Sequence, residues 1–449
     1  MNNAAFSSFA DVSAHLDALG LFHMQPGLAR MQRIFARLRL ARPPYRVVQV
    51  VGTNGKGSVS TMLASLAKDH GQRVGLHISP HFISVRERIC IDGALLDQAQ
   101  WVELGNELMA LGGAELTYFE FVTALAVLAF ARAGVDLAVM ETGLGGSYDA
   151  TTALEADMVV FTPIGLDHQA VLGDSLAAIA ADKAGAIRPG KAVLSARQQP
   201  EVEEILLGAA DQKGAPCVML AQSTAMPVPG LAGVHQQNNA ALALAAWRML
   251  EHGSTKSNTQ FAPASEKEAA ALHKAWLPGR LHFIAPAGQG DPCASLTQQG
   301  ADPFAACPLG RPPLLLDGAH NSHGLAALGF ALAKMEVAPG AVVFSCLADK
   351  DLDALFPLVR SLATGPIFVP PIKDNPRAAD PAYLARQLGV NARPCASLAE
   401  ALREAACLMA ARYPEAFTQT EPRNPLLVCG SLYMLGEVYA LFPWMLERR

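Results

Sequence analysis

The fold is decided at residues 47–58, which read VVQVVGTNGKGS. The apolar run 47–51 is typical of a strand that is buried on both faces. The helical pattern of residues 58–68 follows closely, and between them lies a glycine-rich turn whose backbone N–H groups can face phosphate oxygens. The stretch therefore predicts the strand, loop and helix that open a phosphate-binding parallel sheet.

The glycine-rich turn differs from the common P-loop pattern at two positions. Gly57 separates Lys56 from the hydroxyl residue Ser58, and Val50 stands where the first glycine of that pattern would be. Lys56 is expected to balance phosphate charge, and Ser58 to reach Mg2+. The alternative is a glycine-rich loop without a ligand. The residues predicted to bind nucleotide here are Gly52, Thr53, Asn54, Gly55, Lys56, Gly57 and Ser58.

Further strands are predicted on either side of this one. Short apolar runs occur at residues 74–78, 137–140 and 158–162, with a helical segment at 119–133. Ligand groups of open α/β sheets lie at the carboxyl ends of strands, where Glu141 and His168 are expected. Together with Ser58 they suit Mg2+, although an imidazole is an unusual ligand for so hard an ion.

Lys183 lies near the end of a helix that is predicted to begin at Asp174 or Ser175. From the residues alone, the favoured interpretation is a solvated lysine that interacts well with the carboxyl end of the helix. Spacing gives no reason to place it in a site.

The chain of 449 residues, 51% of them hydrophobic, is too long for one ordinary core. The predicted architecture is α/β: a P-loop-containing parallel-sheet domain followed by a smaller Rossmann-like domain. Residues 1–285 form the first domain and residues 314–449 the second. Residues 286–313, within a stretch rich in Gly, Pro, Gln and Asp, form the linker.

Several classes of protein are excluded by composition. The most apolar stretch, residues 121–140, is interrupted by Arg132, Gly134 and Asp136, so we expect no membrane span. The eight cysteines show no zinc-like spacing, and the net charge of −5 without a long basic run argues against nucleic acid. No secretory signal is evident, so a cytoplasmic enzyme is expected.

Twelve short motifs follow one another along the chain. They are GTNGKGS (52–58), SPHF (79–82), RERI (86–89), TYFEF (117–121), ETGLGGSYDAT (141–151), GLDH (165–168), LGDSLAAIAADKAG (172–185), HQQNNAALALAA (235–246), LPGR (277–280), LDGAHN (316–321), LADKD (347–351) and CGSLY (429–433). In this order they resemble the folylpolyglutamate synthase and dihydrofolate synthase family, which is related to the Mur peptide ligases.

The resemblance implies roles for the residues of the phosphate and metal region. Lys56 and the loop amides would hold the ATP phosphates, and Ser58, Glu141 and His168 would ligate Mg2+. The lysine that matches Lys183 is carbamylated by CO2 in related ligases, which gives a carboxylate for a second Mg2+. The predicted catalytic residues are therefore Lys56, Glu141, His168 and Lys183.

The resemblance also implies binding residues elsewhere. Residues expected to contact the nucleotide are Asn239, Arg280, Asp317 and His320. The pterin and aminobenzoyl pocket is expected at Ser79, Pro80, His81, Phe119 and Asp149. Glutamate is expected near Ser431 and His320.

Three positions depart from the family pattern. Ser147 stands where Arg is usual, Thr152 where Asn is usual, and Thr142 where an aliphatic residue is common. The loop after Gly146 has therefore lost a cation and an amide. Phosphate and metal residues are unaffected, so the departures bear on substrate range.

The expected reaction is ATP-dependent joining of L-glutamate to dihydropteroate, to reduced folates, or to both, through an acyl phosphate. A bifunctional enzyme is favoured over a folylpolyglutamate synthase alone. A small-molecule kinase or a nucleotide-binding regulatory protein are the alternatives from other classes. We expect a monomer with small-molecule substrates.

Overall fold

The computed structural model describes residues 5–20, 25–220, 228–253, 262–287, 302–418 and 423–446. Residues 288–301 of the predicted linker lie outside these ranges. Contacts divide the chain into two compact units. The first comprises Met1–Gly165, Val171–Gly230 and Gln237–Ala275, and the second comprises Leu166–Ala170, Leu231–Gln236 and Trp276–Arg449.

The first unit is built on one sheet. Its strands are β1 (Arg46–Val51), β2 (Val74–His77), β3 (Ile89–Ile91), β4 (Ala94–Leu95), β5 (Leu137–Glu141), β6 (Met158–Phe161), β7 (Ala192–Ser195) and β8 (Cys217–Met219). They lie in the order β4-β3-β2-β5-β1-β6-β7-β8. β3 and β4 extend one edge antiparallel, and the other neighbours pair in parallel. The fold predicted from residues 47–58 is confirmed.

Helices precede, connect and follow these strands. They are α1 (Phe9–Leu19), α2 (Ala29–Leu38), α3 (Lys56–Asp69), α4 (Gln98–Ala110), α5 (Tyr118–Ala133), α6 (Gln169–Leu172), α7 (Leu176–Ala184), α8 (Pro200–Gln212), α9 (Val234–His252) and α10 (Glu266–Lys274). α5 is apolar on nearly all sides because it packs against β2 and β3 and is also contacted by α1, α2 and α4. A capping box between Thr117 and Glu120 fixes its start beside the predicted pocket residue Phe119.

The second unit has its own sheet. Its strands are β9 (His282–Ile284), β10 (Leu314–Leu316), β11 (Ala341–Phe344), β12 (Ile367–Val369), β13 (Ala392–Pro394) and β14 (Leu426–Cys429). Its helices are α11 (Ser322–Lys334), α12 (Leu352–Leu362), α13 (Pro381–Leu388), α14 (Leu398–Arg412) and α15 (Leu432–Leu441). The strand order is β13-β12-β11-β14-β10-β9, and only the pairing of β9 with β10 is antiparallel among these strands.

One strand lies on the other side of the predicted domain boundary. The sequence assigned residues up to 285 to the first domain, whereas β9 pairs with β10 in the second sheet. A strand of three residues carries too little periodicity to reveal which sheet it will join. None of the helices in the described ranges has the length and apolar character that crossing a membrane requires.

Candidate active site

The phosphate loop, residues 52–58, connects β1 to α3 and requires glycine at two positions. Gly52 has a φ of 155°, and a Cβ there would lie 1.9 Å from Thr162 Oγ1. Gly55 has a φ of 89°, and a Cβ there would lie 2.7 Å from Asn239 Oδ1. These positions are closed to other residues. Asn239, predicted from the resemblance, therefore lies directly against the loop.

The amides of the phosphate loop are not all directed alike. The N–H groups of Thr53 and Asn54 donate to the carbonyl oxygen of Pro163 at 3.0 and 3.3 Å. The first N–H groups of a helix have no acceptor within the helix, so those at the start of α3, residues 56–58, are placed for an anion. The sequence alone does not distinguish these two sets of amides.

Two lysines converge on one carbonyl oxygen of the phosphate loop. Lys56 Nζ donates to Gly52 O at 3.2 Å, and Lys183 Nζ, from the last turn of α7, donates to the same oxygen at 2.9 Å. Lys183 is only 4% exposed. The interpretation of Lys183 as a solvated surface lysine is therefore wrong, because the end of α7 packs onto the loop.

Two oxygen ligands of the predicted metal site lie at the same edge of the sheet. Ser58 is 1% exposed, and its Oγ has no hydrogen-bond partner among the described residues. Glu141, the last residue of β5, is 4% exposed, and its Oε2 accepts the N–H of Ser79 at 2.9 Å. A hydroxyl and a carboxylate fit a hard cation. The described residues contain no group of three His, Cys, Asp or Glu arranged for a metal.

Asp149 holds together the loop that follows Glu141. Its carboxylate accepts the N–H groups of Gly143, Leu144 and Thr151 at 2.9 to 3.0 Å, and the hydroxyl of Thr151 at 2.6 Å. Burial raises the pKa of Asp149, against these hydrogen bonds, which lower it. In this geometry Asp149 holds the conformation of the loop. Its contact with substrate stays a prediction.

The atypical residue Ser147 docks this loop on α7. Its N–H and its Oγ both donate to the carbonyl oxygen of Asp182, at 3.0 and 2.8 Å. A Cβ on Gly146 would lie 2.5 Å from the carbonyl oxygen of Lys183. The loop thus fixes the turn of helix that carries Lys183.

The other atypical residues, Thr142 and Thr152, belong to a buried polar cluster. Gln49 Nε2, in the middle of β1, lies 3.0, 2.9 and 2.6 Å from the hydroxyl oxygens of Thr142, Thr151 and Thr152. An amide buried in a central strand needs such partners. Thr152 therefore supports the strand beneath the site, a role that the sequence did not reveal.

The predicted pocket residues Ser79, Pro80 and His81 lie on one short segment, the 79–84 loop. Glu87 accepts the N–H groups of Phe82, Ile83 and Ser84 at 2.7 to 2.8 Å, and Glu141 holds the other end through Ser79. Phe119 lies beside the loop after Glu141, because a Cβ on Gly143 would lie 2.7 Å from its ring. Glu87 was missed from the sequence, although it lies within the motif RERI.

In the second unit, Asp167 is surrounded by polar partners. Lys350 Nζ lies 2.5 Å and Asn321 Nδ2 2.9 Å from its carboxylate oxygens. The Nε2 atoms of His320 and His168 lie 3.6 and 3.9 Å away. Burial alone would raise the pKa of Asp167, but His320, His168 and Lys350 hold it well below its usual range.

Two predicted residues, His168 and His320, thus lie around one carboxylate. The sequence did not assign a role to Asp167 or Lys350, although both stand in the motifs GLDH and LADKD. His168 belongs to the second unit, so its place beside Ser58 and Glu141 stays a prediction.

The remaining predicted residues of the second unit lie at the starts of loops and helices. Asp317, directly after β10, accepts the N–H groups of Leu281 and Ala319 at 2.8 and 2.9 Å. A Cβ on Gly318 would lie 2.7 Å from Arg280 Nη1, so Arg280 lies against this turn. Ser431 is buried and caps α15. Asp317 and Arg280 are therefore close, whereas Ser431 is occupied as a helix cap.

Two family models match the chain. The Mur ligase middle domain matches residues 50–188, which include the phosphate loop and Lys183. The glutamate ligase domain of Mur ligases matches residues 309–431, which include Asp317 and His320. The fold and the two matched domains therefore define a member of the Mur ligase family.

One relative of the chain identifies the family within this class. The dihydrofolate synthase/folylpolyglutamate synthase of Bacillus subtilis (strain 168) is 31% identical over 392 residues, which cover 80% of this chain and 84% of that protein. The chain belongs to the folylpolyglutamate synthase and dihydrofolate synthase family and is an ATP-dependent glutamate ligase. The resemblance found in the sequence is confirmed.

The solved structures match nearly the whole chain. Mycobacterium tuberculosis folylpolyglutamate synthase complexed with ADP has a TM-score of 0.80 at 28% identity, over 97% of this chain and 98% of that one. The bifunctional folylpolyglutamate synthase/dihydrofolate synthase from Yersinia pestis, complexed with AMPPNP and Mn ion, has a TM-score of 0.76 at 28% identity, over 98% and 99%. These solved structures contain ADP or AMPPNP, and one also contains an Mn ion.

Proposed function

We propose that the enzyme joins L-glutamate both to dihydropteroate and to reduced folates. An oxygen of the substrate carboxylate attacks the γ-phosphorus of ATP, and ADP leaves. The glutamate amine then attacks the acyl carbon, and the tetrahedral intermediate loses phosphate to give the amide. The name of the Bacillus subtilis relative, which gives both activities, supports the dual assignment.

The convergence of Lys56 and Lys183 on Gly52 O carries this proposal. The two ammonium groups lie at most about 6 Å apart, because each is within 3.2 Å of Gly52 O. At that separation they repel by on the order of 3 kcal/mol at an effective dielectric constant of about 20. A bound triphosphate in the phosphate loop offsets this repulsion. Carbamylation of Lys183 removes it further, because the ammonium is replaced by an anion.

The residues present fit the proposed Mg2+ ions. The buried Ser58 hydroxyl has no protein partner among the described residues, and Glu141 supplies a carboxylate beside the loop. We propose that Ser58, Glu141 and His168 hold one ion and that carbamylated Lys183 contributes to a second. When bound, Mg2+ neutralises charge on the phosphate oxygens.

The chain's own groups do the rest. Lys56 stabilises the charge that spreads over the transferred phosphoryl group, and the N–H groups of residues 56–58 bind phosphate oxygens. In this proposal Asn239, Arg280, Asp317 and His320 bind the nucleotide, and Ser431 and His320 bind glutamate. The pteroyl group occupies a pocket lined by Ser79, Pro80, His81, Phe119 and Asp149.

One assay tests the proposal. The purified protein is incubated with ATP, Mg2+ and L-glutamate, and with either dihydropteroate or a reduced folate. We expect ADP, phosphate and a product that carries one added glutamyl residue from each substrate, identified by mass spectrometry. If only the reduced folate gives a product, the protein is a folylpolyglutamate synthase without dihydrofolate synthase activity. A phosphorylated product that is stable without glutamate would identify a kinase and overturn the proposal.

We also propose that the protein is a monomer, and light scattering of the purified protein tests this.

A further inference from the structure

Arg88 is a buried arginine that contacts two histidines of the first unit. It is 3% exposed, and its guanidinium lies over the ring of Tyr118, 5.2 Å from the centroid. Its Nε donates to His81 Nδ1 at 2.8 Å, and its carbonyl oxygen lies 3.0 Å from His77 Nδ1. The side chain of Arg88 is therefore a donor to His81, whereas its backbone carbonyl is an acceptor for His77.

The guanidinium decides which nitrogen of His81 carries the proton. A guanidinium has only donors, so His81 Nδ1 accepts and must be unprotonated. The neutral ring then carries its proton on Nε2. A doubly protonated ring would lose this acceptor and bring two cations together. In agreement, burial and the charge of Arg88 lower the pKa of His81 to about 3.

His77 takes the opposite tautomer. A carbonyl oxygen only accepts, so His77 Nδ1 carries the proton towards Arg88 O. Its Nε2 then accepts from the hydroxyl of Thr123, 3.3 Å away. The ring of His77 lies against Phe119, with 5.7 Å between centroids. Both ring nitrogens of His77 therefore have partners within the protein, and the ring packs against the predicted pocket residue Phe119.

His81 differs because its protonated nitrogen is not used within the described residues. The ring is half-buried, and Nε2 makes no hydrogen bond in the described part of the chain. The 79–84 loop that carries it is held at both ends, by Glu141 at Ser79 and by Glu87 at residues 82–84. The Nε2–H group of His81 is thus available to donate a hydrogen bond to a ligand, from a loop whose position is fixed.

We propose that Arg88 is a positioning residue that fixes His81 as a neutral Nε2–H donor for an acceptor atom of the pterin, either a ring carbonyl or a ring nitrogen. This inference rests on the proposed function, because that function places the pteroyl group at His81. A site built around a fixed donor discriminates strongly against ligands that lack the matching acceptor. Arg88 therefore contributes to specificity without touching the substrate.

Kinetics of four variants test the donor. His81→Phe removes it, and we expect the KM for dihydropteroate to rise about 10-fold, the value of one hydrogen bond of about 1.4 kcal/mol. The KM for ATP should change less than about twofold. His81→Gln returns an N–H donor and should raise the KM less than His81→Phe does. Arg88→Met should raise the KM for dihydropteroate, whereas His273→Phe, at an exposed histidine of α10, should not.

Nitrogen NMR of the protein labelled with 15N-histidine tests the tautomer directly. At pH 7 we expect His81 to show a protonated Nε2 and an unprotonated Nδ1, with its signals identified by their loss in His81→Gln. In Arg88→Met the two tautomers should become mixed. A protonated Nδ1 in the wild type, or an unchanged KM in His81→Phe, would overturn the inference.

The NMR measurement separates this inference from the proposed function. Wild-type protein that makes no glutamyl product, yet shows the Nε2–H tautomer, would reject the function and with it the pterin as ligand. Wild-type protein that is active but shows the other tautomer would reject only the role of Arg88. If Arg88→Met does not fold, the wild-type spectrum and the two His81 variants still decide.

Discussion

The ammonium group of Lys183 donates a 2.9 Å hydrogen bond to the carbonyl oxygen of Gly52. The two residues are 131 positions apart in the chain. The carboxyl end of α7 therefore lies against the phosphate loop, and Lys183 joins Lys56 there. The proposed carbamate on Lys183 would replace this ammonium beside Lys56 by an anion, which offers oxygen ligands suited to Mg2+.

Lys183→Ala should lower kcat at least about 100-fold, because a carbamate that organises Mg2+ and phosphate is lost. A short carboxylic acid in the buffer should restore part of the rate by filling the vacated space. Lys183→Arg should stay inactive, because it keeps the positive charge and cannot form the same carbamate.

The carbamate can also be observed without an activity assay. Wild-type protein in 13C-bicarbonate should give a carbamate signal in 13C NMR that Lys183→Arg lacks. A fully active Lys183→Arg enzyme, or an unmodified Lys183 in an active Mg2+-nucleotide complex, would exclude the carbamate.

Lys56→Ala should lower kcat by roughly 100-fold or more while the fold stays intact. The lost charge acts on the transferred phosphoryl group and is worth about 3 kcal/mol, or roughly 100-fold in kcat. Lys68→Ala, at an exposed lysine near the end of the same helix, is the control and should keep wild-type kcat. Circular dichroism and Tm check the fold. Activity of Lys56→Ala near that of wild type would contradict its assigned role.

Glu141→Gln and His168→Ala should each raise the Mg2+ concentration needed for half-maximal rate and also lower kcat. Glutamine keeps an acceptor for the N–H of Ser79 but loses the charge that binds a cation. Titration of the rate with Mg2+ at saturating ATP measures the effect. An unchanged Mg2+ dependence in both variants would leave these residues a structural role only.

Asp167→Asn should destabilise the protein by about 3 kcal/mol or more, because it leaves the buried ammonium of Lys350 without its counter-charge. The double variant Asp167→Asn/Lys350→Met should recover most of this loss in urea unfolding. Asp349→Asn removes one half of the partly exposed pair of Asp349 with Arg377, and it should cost less than about 1 kcal/mol. Additive effects of the two substitutions at Asp167 and Lys350 would show that the pair is not coupled.

The parts predictable from the sequence are those with local signals. The strand and glycine-rich turn at residues 47–58 are encoded by neighbours in the chain, and Glu141 follows from its place after an apolar run. The small β3 and β4 extension and the pairing of β9 were not evident, because strands of two or three residues carry almost no periodicity.

Contacts between distant residues were the least predictable. Lys183 resembled a surface lysine because nothing in its own helix shows what packs on it. Gln49 lies in an apolar run, and its three threonine partners are about 100 residues away in sequence. Arg88 and Asp167 lie in recognised motifs, but their roles depend on the rings and ammonium groups that the fold brings beside them.

In the proposed site, the carboxylate of Glu141 takes part in the binding of both the metal and the pteroyl substrate. One of its oxygens holds Ser79 at the head of the 79–84 loop, and the same carboxylate is a proposed ligand of Mg2+. Coupling between two binding sites is reciprocal. If bound metal raises the affinity for a pteroyl substrate by some factor, the bound substrate raises the affinity for metal by the same factor. If the proposed site is right, the metal dissociation constant should therefore depend on which substrate occupies the pocket, even before any glutamate has been transferred.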